Sequence, residues 1–177
     1  MILENIYRLD YPIYDPEAAS GAWPISADPD ASVESQPLGL LLQFSSLATG
    51  LFVYITNDSE QICYEVVNVA DMLAYVPNYF GYISLVSEQS DMQKLVGSEL
   101  QQIHMGFADG HPLDHKLLFG IKLEFDASAL IFLNNCDEGC YLFEGSEKHV
   151  DFFTHYSKVF TEIKWQEQHQ LLEQIAA

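Results

Sequence analysis

Six segments of the chain are short, rich in apolar and β-branched residues, and bounded by turn-forming residues, a pattern that predicts β-strands. They are residues 38–44, 51–56, 61–67, 117–125, 129–135 and 140–144. The second and third are joined by Asn57-Asp58-Ser59, which favours a turn. In residues 129–135 the apolar positions do not alternate with polar ones, so we expect a strand that is covered on both faces.

Three other segments repeat their apolar residues at intervals of three and four positions, which is typical of a helix that buries one face. They are residues 68–76, 90–105 and 147–165, which begin at or after the capping residues Asn68, Ser90 and Ser146. Pro77 predicts the end of the first helix, because the residue before a proline avoids the helical conformation. The apolar stripe of the last helix breaks after Trp165 and resumes at Leu171, so this helix ends near Trp165 or continues to the C-terminus.

Residues 10–37 follow neither pattern, since they hold five of the seven prolines and show little periodicity. Proline removes a backbone donor, so we expect a proline-rich arm that packs on an α+β core formed by residues 38–177. We expect residues 1–177 to form a single domain without an internal repeat. The predicted fold is α+β, a largely antiparallel sheet of about five or six strands with two or three packed helices, including a C-terminal helix.

The chain has 26 acidic and only 7 basic residues, which gives a net charge of −19. Arg8 is the single arginine and the only basic residue before Lys94. Phosphate-bearing ligands are usually held by arginine or lysine, and a surface of this sign repels nucleic acid and anionic lipid. The charge therefore disfavours direct binding to nucleic acid or a membrane. It favours fast association with a basic protein, unless it serves solubility alone.

The 3 cysteines fit no disulfide framework, and no apolar run is long enough to span a bilayer. Because the first residues also lack a secretion signal, we expect a soluble cytoplasmic protein. Cys136 and Cys140 flank Asp137-Glu138-Gly139, which we interpret as a three-residue hairpin loop that places the two cysteines opposite each other. A reversible disulfide and a metal site are the alternatives, although a structural zinc site needs four ligands.

Catalytic signatures are missing from the sequence, which contains no Gly-x-Ser-x-Gly nucleophile motif and no glycine-rich phosphate or dinucleotide loop. Residues 108–115, ADGHPLDH, combine carboxylate and imidazole side chains, which suit zinc, iron or manganese. The candidate ligands are Asp109, His111, Asp114 and His115. Pro112 and the Asp-Gly dipeptide also favour an ordinary loop, so we predict no cofactor and keep a metal-dependent hydrolase as an alternative.

Aromatic side chains are concentrated in residues 74–83, AYVPNYFGYI, around Pro77 and Gly81. Aromatic residues are favoured at the centres of protein interfaces, although they also serve as core. If the patch is exposed, its acidic neighbours form a rim that suits a basic partner. The predicted partner-binding residues are Asp71, Tyr75, Tyr79, Phe80, Tyr82, Glu88, Asp91, Asp137 and Glu138.

Charge, missing motifs and the aromatic patch together favour a non-enzymatic protein that neutralises a basic protein partner. An immunity protein or antitoxin that guards against a nuclease or another cationic toxin would have this character. An inhibitor that mimics nucleic acid is a further alternative. A structural subunit that associates with itself is another, so homo-oligomerisation stays open.

Overall fold

The described part of the protein folds into two antiparallel β-sheets. The structure is a computed structural model that describes residues 1–10, 39–55, 62–79, 82–86, 91–109, 117–126, 128–135, 138–143 and 162–177. The strands of sheet I are β1 (Leu3–Asp10), β2 (Gly39–Phe44), β3 (Thr49–Ile55), β4 (Ile62–Asn68) and β5 (Tyr82–Leu85). Those of sheet II are β6 (Leu100–Asp109), β7 (Leu117–Phe125), β8 (Ala129–Asn135), β9 (Glu138–Phe143) and β10 (Glu162–Glu167). Their spatial orders are β4-β3-β2-β1-β5 and β10-β6-β7-β8-β9.

Helices connect the strands and cover the sheets. Helix α1 (Val69–Tyr79) follows β4 and precedes β5, and because these strands are the two edges of sheet I, the helix crosses its outer face. A 3₁₀ helix (Asp91–Leu95) precedes β6, and α2 (His169–Ala176) follows β10. The Thr49 hydroxyl donates to the Ile175 carbonyl at 2.7 Å, which holds the end of α2 against sheet I.

The main hydrophobic core lies between the two sheets, because side chains on alternate positions of each strand point inward. In β2, Leu40 and Leu42 face this core, whereas Leu41 faces outward and packs with Phe52 and Val69 beneath α1. The same division occurs in β8, where Leu130 and Phe132 face the main core. The alternate residues Ile131 and Leu133 form a buried cluster on the outer face. The prediction that this strand is covered on both faces is therefore confirmed.

The two sheets have the same topology. In each, four consecutive strands form a meander, and the fifth strand returns to pair antiparallel with the first. Numbered within its own sheet, each order reads 4-3-2-1-5. The prediction that the chain has no internal repeat is therefore wrong.

The strand registers match residue by residue. In sheet I, Leu3 pairs with Phe44 and an irregularity follows before Asn5; in sheet II, Leu100 pairs with Phe125 and the same irregularity follows before Gln102. Superposing the registers brings eight identical pairs together. These are Leu3 and Leu100, Ile6 and Ile103, Gly39 and Gly120, Leu42 and Leu123, Phe44 and Phe125, Leu51 and Leu130, Cys63 and Cys140, and Tyr64 and Tyr141. We conclude that the two halves are copies of one unit.

The broad prediction of antiparallel sheet with packed helices is correct, but there are two sheets in place of one. All six predicted strands are present, as β2, β3, β4, β7, β8 and β9. Four more strands, β1, β5, β6 and β10, lie in segments for which no strand was predicted. The buried residues Leu3 and Ile6 of β1 belong to the main core, so part of that core comes from outside residues 38–177.

The helices differ more from the predictions. The first is present as α1 but includes Pro77 and ends at Tyr79, so the predicted stop is wrong. The helix predicted at 90–105 is instead a 3₁₀ helix followed by β6, because Gly97 has a φ of 90° and turns the chain between them. Residues 162–165 belong to β10, so the end of the predicted helix 147–165 is wrong; residues 147–161 lie outside the described residues.

Candidate functional site

Strand β4 and the first turn of α1 meet at an edge of sheet I, in a region we call the β4 corner and define by Tyr64, Glu65, Asn68 and Asp71. Tyr64 exposes 38% of its surface and is the aromatic member of the exposed large apolar residues described, which also include Ile2 and Leu85. Glu65, Asn68 and Asp71 are also exposed. The β4 corner therefore combines an exposed aromatic residue with two carboxylates.

A hydrogen bond from the neighbouring strand β3 orients the carboxylate of Glu65. The Tyr54 hydroxyl donates to Glu65 Oε1 at 2.7 Å, and the Tyr54 ring stacks on Phe52 with centroids 4.7 Å apart. Burial, together with the bond to Glu65, raises the pKa of Tyr54 to about 12, so the phenol stays protonated and keeps donating. A carboxylate has about four acceptor sites, so Glu65 can accept further bonds from a basic side chain.

Asp71 is held by the cap of α1. Its backbone N–H donates to Asn68 Oδ1 at 3.1 Å, which confirms the predicted cap. The carboxylate lies in the first helical turn, where the helix dipole favours negative charge. The position of Asp71 is thus fixed by backbone geometry while its side chain is exposed.

The other residues of the predicted aromatic patch are only partly described. Tyr75 and Tyr79 lie in α1, and Tyr82 begins β5 opposite Asp10. The side chains of these three residues lie outside the described part of the structure. Phe80 and Glu88 lie outside the described residues.

Asp91 is exposed but is paired within the chain. It opens the 3₁₀ helix, and its carboxylate lies 2.5 Å from Lys94 Nζ. Because this lysine already neutralises it, Asp91 is a weaker candidate for contact with a basic partner than Glu65 or Asp71.

The hairpin at the end of β8 differs from the prediction. Asn135 pairs with Glu138 and Leu133 pairs with Cys140, so Gly139 is a strand residue opposite Asn134. The predicted arrangement, in which Cys136 faces Cys140 across a loop of Asp137 to Gly139, is wrong. Asp137 and Cys136 themselves lie outside the described residues.

The predicted metal-binding loop falls largely outside the described residues. Asp109 ends β6 opposite Glu162, whereas His111, Asp114 and His115 are not among the residues described. Within the described ranges, no group of three or more His, Cys, Asp or Glu side chains is arranged to hold a metal ion.

A second group of exposed carboxylates lies where the two halves meet, in a region we call the seam and define by Ile2, Glu4, Glu99 and Asp126. Ile2 and Glu99 form an antiparallel bridge, which joins the two halves. The Glu99 N–H donates to Asp126 Oδ1 at 3.1 Å, so these two acidic residues are neighbours. Sequence reasoning missed this group because its members are far apart along the chain.

On the outer face of sheet II, His104 and Lys122 are opposite each other, and both approach the carboxylate of Glu124. Lys122 Nζ lies 2.6 Å from Glu124 Oε1, and His104 Nδ1 lies 3.9 Å from the same oxygen. His104 Nε2 is buried without a hydrogen-bond partner. The superposed registers match these three residues to the uncharged Tyr7, Leu41 and Gln43 of sheet I.

A cleft of about 240 Å³ opens on sheet I between Tyr7, Gln43 and the first turn of α1. Gln43 Oε1 accepts from the Tyr7 hydroxyl at 3.2 Å and from Asn5 Nδ2 at 3.0 Å. The cleft is smaller than most small-molecule sites, which enclose roughly 300–1,000 Å³, and its described lining carries no charge. We assign it no ligand.

Cys63 lies in β4 as a free thiol. Burial, and secondarily the charge of Glu65, raise the pKa of this thiol, so less reactive thiolate is present near neutral pH. This environment disfavours a nucleophilic role for Cys63.

Among the described residues, no helix is both long and apolar enough to cross a bilayer. Comparisons with known protein families, with curated proteins and with solved structures gave no significant match to this chain.

Proposed function

We propose that the protein binds and neutralises a basic protein partner, in the manner of an immunity protein or antitoxin, and that the β4 corner is part of the contact surface. The observation that carries this proposal is the edge strand β4, where the exposed side chains of Tyr64 and Glu65 lie on opposite faces of the sheet, followed by the exposed Asp71 in the first turn of α1. Aromatic residues dominate the energy of interface centres, and complementary charge accelerates association.

The distribution of ion pairs supports the proposal. Lys94 and Lys122 are paired with Asp91 and Glu124 inside the chain. By contrast, neither Glu65 nor Asp71 forms an ion pair with a lysine or arginine within the described ranges. The carboxylates of the β4 corner thus keep their charge for a partner, and the net charge of −19 steers a cationic protein toward the molecule.

Association kinetics with a purified basic partner test this function. A protein that the immobilised chain retains at low salt is identified, purified, and mixed with it at several salt concentrations. The double variant Glu65→Gln with Asp71→Asn should associate about fivefold more slowly and with a weaker salt dependence, because two steering charges are lost.

A double variant in the seam is the matched control, because it removes the same number of negative charges as the β4 corner variant. Glu4→Gln with Asp126→Asn removes the same charge from a different surface and should slow association about twofold or less. Equal rates for the two double variants would remove the β4 corner from the proposal. Association of the unaltered protein that does not respond to salt would overturn the proposed function itself.

The acidic residues proposed from the sequence form a broader set. Replacing Asp71, Glu88, Asp91, Asp137 and Glu138 by their amides should slow association further than replacing Asp71 alone. Unchanged binding and an unchanged salt response would exclude these five residues as the contact surface.

A further inference from the structure

Strand β4 is an edge strand within the part of the chain that the structure describes. It is the last strand in the order of sheet I, and its only paired neighbour among the described strands is β3. No described residue from Cys63 to Asn68 has a hydrogen bond beyond that ladder, the Tyr54 bond to Glu65 and the cap of α1. In an antiparallel edge strand every second residue directs its N–H and C=O away from the sheet, so β4 presents backbone groups that can pair with another strand.

The sequence of β4 has only one of the devices that normally protect such an edge, the charged side chain of Glu65. Proteins commonly block edges with lysine, proline, bulges or very short strands. The segment ICYEVVN has neither lysine nor proline, and its register with β3 is continuous over seven residues. At the opposite edge, β5 has only four residues, and β10 at the edge of sheet II carries Glu162, Lys164 and Glu167.

A second copy of this chain fits the edge poorly. An antiparallel pair of β4 strands around their midpoint places Glu65 of one copy opposite Glu65 of the other, because Glu65 is the central residue of Ile62–Asn68. Like charges directly opposite each other destabilise a strand pair. A strand with lysine or arginine at that position would gain from the same carboxylate.

We propose that β4 accepts an extended basic segment of the partner as an additional strand of sheet I. This inference rests on the proposed function and specifies how the partner docks. Backbone hydrogen bonds to β4 supply affinity, Glu65 pairs with a basic side chain, and Tyr64 packs against the incoming strand.

Two synthetic peptides of about ten residues test the inference, since strands of this length are common in sheets. Both alternate lysine with valine, but in the second every backbone amide is N-methylated, so it keeps the charge and cannot pair as a strand. The unmodified peptide should bind at least tenfold tighter, and its binding should slow amide hydrogen exchange in β4 about tenfold.

Variants locate the contact. Glu65→Lys should weaken binding of the unmodified peptide about fivefold, and Glu65→Gln about twofold, because an exposed ion pair contributes little to affinity. Glu4→Lys, in the seam and outside the β4 corner, makes the same change of charge, and as the matched control it should change affinity less than twofold. Urea unfolding of each variant confirms that the fold is retained.

The outcomes separate the two proposals. Equal, salt-dependent binding of both peptides, with unchanged exchange in β4, would overturn strand addition and leave the proposed function supported. Absence of salt-dependent binding by either peptide would overturn both. A dimer in sedimentation that the unmodified peptide disperses would assign the edge to a second copy, which also overturns the inference.

Discussion

The two halves of the molecule share their strand order and register but differ in the chemistry of their outer faces. The identical pairs, such as Phe44 with Phe125 and Leu51 with Leu130, are mostly core residues. On the outer faces, uncharged Tyr7 and Gln43 of sheet I correspond to His104 and Glu124 of sheet II. The fold therefore constrains the inward positions, whereas the outward positions were free to diverge.

This comparison bears directly on the β4 corner. Tyr64 corresponds to Tyr141, but Glu65 corresponds to Leu142 in β9. Because the copy places leucine at this register position, the architecture does not demand a carboxylate there. The shared fold therefore does not account for the charge of Glu65, which is consistent with the proposed contact with a basic partner.

Adding a methyl group at the shared glycines should produce the largest loss of stability and should distinguish the halves. A Cβ at Gly39 would lie 2.7 Å from the Val53 carbonyl oxygen, whereas at Gly120 it would meet the end of the Leu133 side chain at 2.7 Å. Backbone cannot yield as a side chain can, so we expect Gly39→Ala to cost about 3 kcal/mol and Gly120→Ala about 1–2 kcal/mol. Urea unfolding measures both, and an equal cost would contradict the reasoning.

The contact between α2 and sheet I tests how strongly the halves depend on each other. Thr49→Val removes the hydroxyl that bonds to the Ile175 carbonyl, and we expect a loss of about 1 kcal/mol. Thr49→Ser keeps the hydroxyl and is the control. If both variants lose the same stability in urea unfolding, packing of the side chain accounts for the effect and the hydrogen bond does not.

Two turns with positive φ should respond in opposite directions. Ser46, between β2 and β3, has a φ of 66°, and Gly97, before β6, has a φ of 90°. Ser46→Gly should stabilise the protein by about 0.5 kcal/mol by relieving strain, and Gly97→Ala should destabilise it by about 1 kcal/mol. Thermal unfolding at fixed pH measures both, and changes of the same sign would refute the assignment of strain to Ser46.

The last effect is confined to the alkaline pH range. Burial and the bond to Glu65 raise the pKa of Tyr54 from 10.0 to about 12, so the unfolded chain releases this proton first as the pH rises. The associated stability is complete below pH 10.0 and is lost as the pH approaches 12. Tyr54→Phe should therefore flatten the fall in urea midpoint over this range. The matching residue of the second half, Leu133, does not titrate. If Tyr54→Phe left the dependence of the urea midpoint on pH unchanged, the alkaline loss of stability would not come from Tyr54.

A bulge explains why two of the missed strands escaped prediction. Between Leu3 and Asn5, and again between Leu100 and Gln102, the register shifts. The inward apolar residues Leu3 and Ile6 are therefore three positions apart, as are Leu100 and Ile103, and this spacing imitates a helix. Strand β5 was missed because it is short, and β10 because Ile163 continues the three-to-four spacing of the apolar residues before it, which indicated a helix.

The internal repeat was not recognised in the sequence because the two halves are not aligned by one constant offset. The connections differ in length between the halves, so identical residues such as Cys63 and Cys140 do not recur at one fixed interval. The short strings CYE and CYL, and GLLLQF and GIKLEF, were the available signal. Register information was needed to align them.

The acidic character of the surface followed from composition, but its arrangement did not. Asp71, predicted as an acidic neighbour of the aromatic patch, is exposed. Tyr64 and Glu65 were overlooked because an alternating strand predicts one covered face, and only the position of β4 at the sheet edge leaves Tyr64 accessible. Edge position is a property of topology, which local patterns do not encode.

The pairing of Ile2 with Glu99 has a consequence for how the protein is made. The first copy leaves the ribosome with the inward face of β2, including Leu40 and Leu42, uncovered until the strands of the second copy emerge. Contacts this distant in sequence slow folding, and exposed apolar sheet promotes aggregation. We therefore expect newly made chains to engage chaperones during synthesis, and a chain stopped after β5 to aggregate.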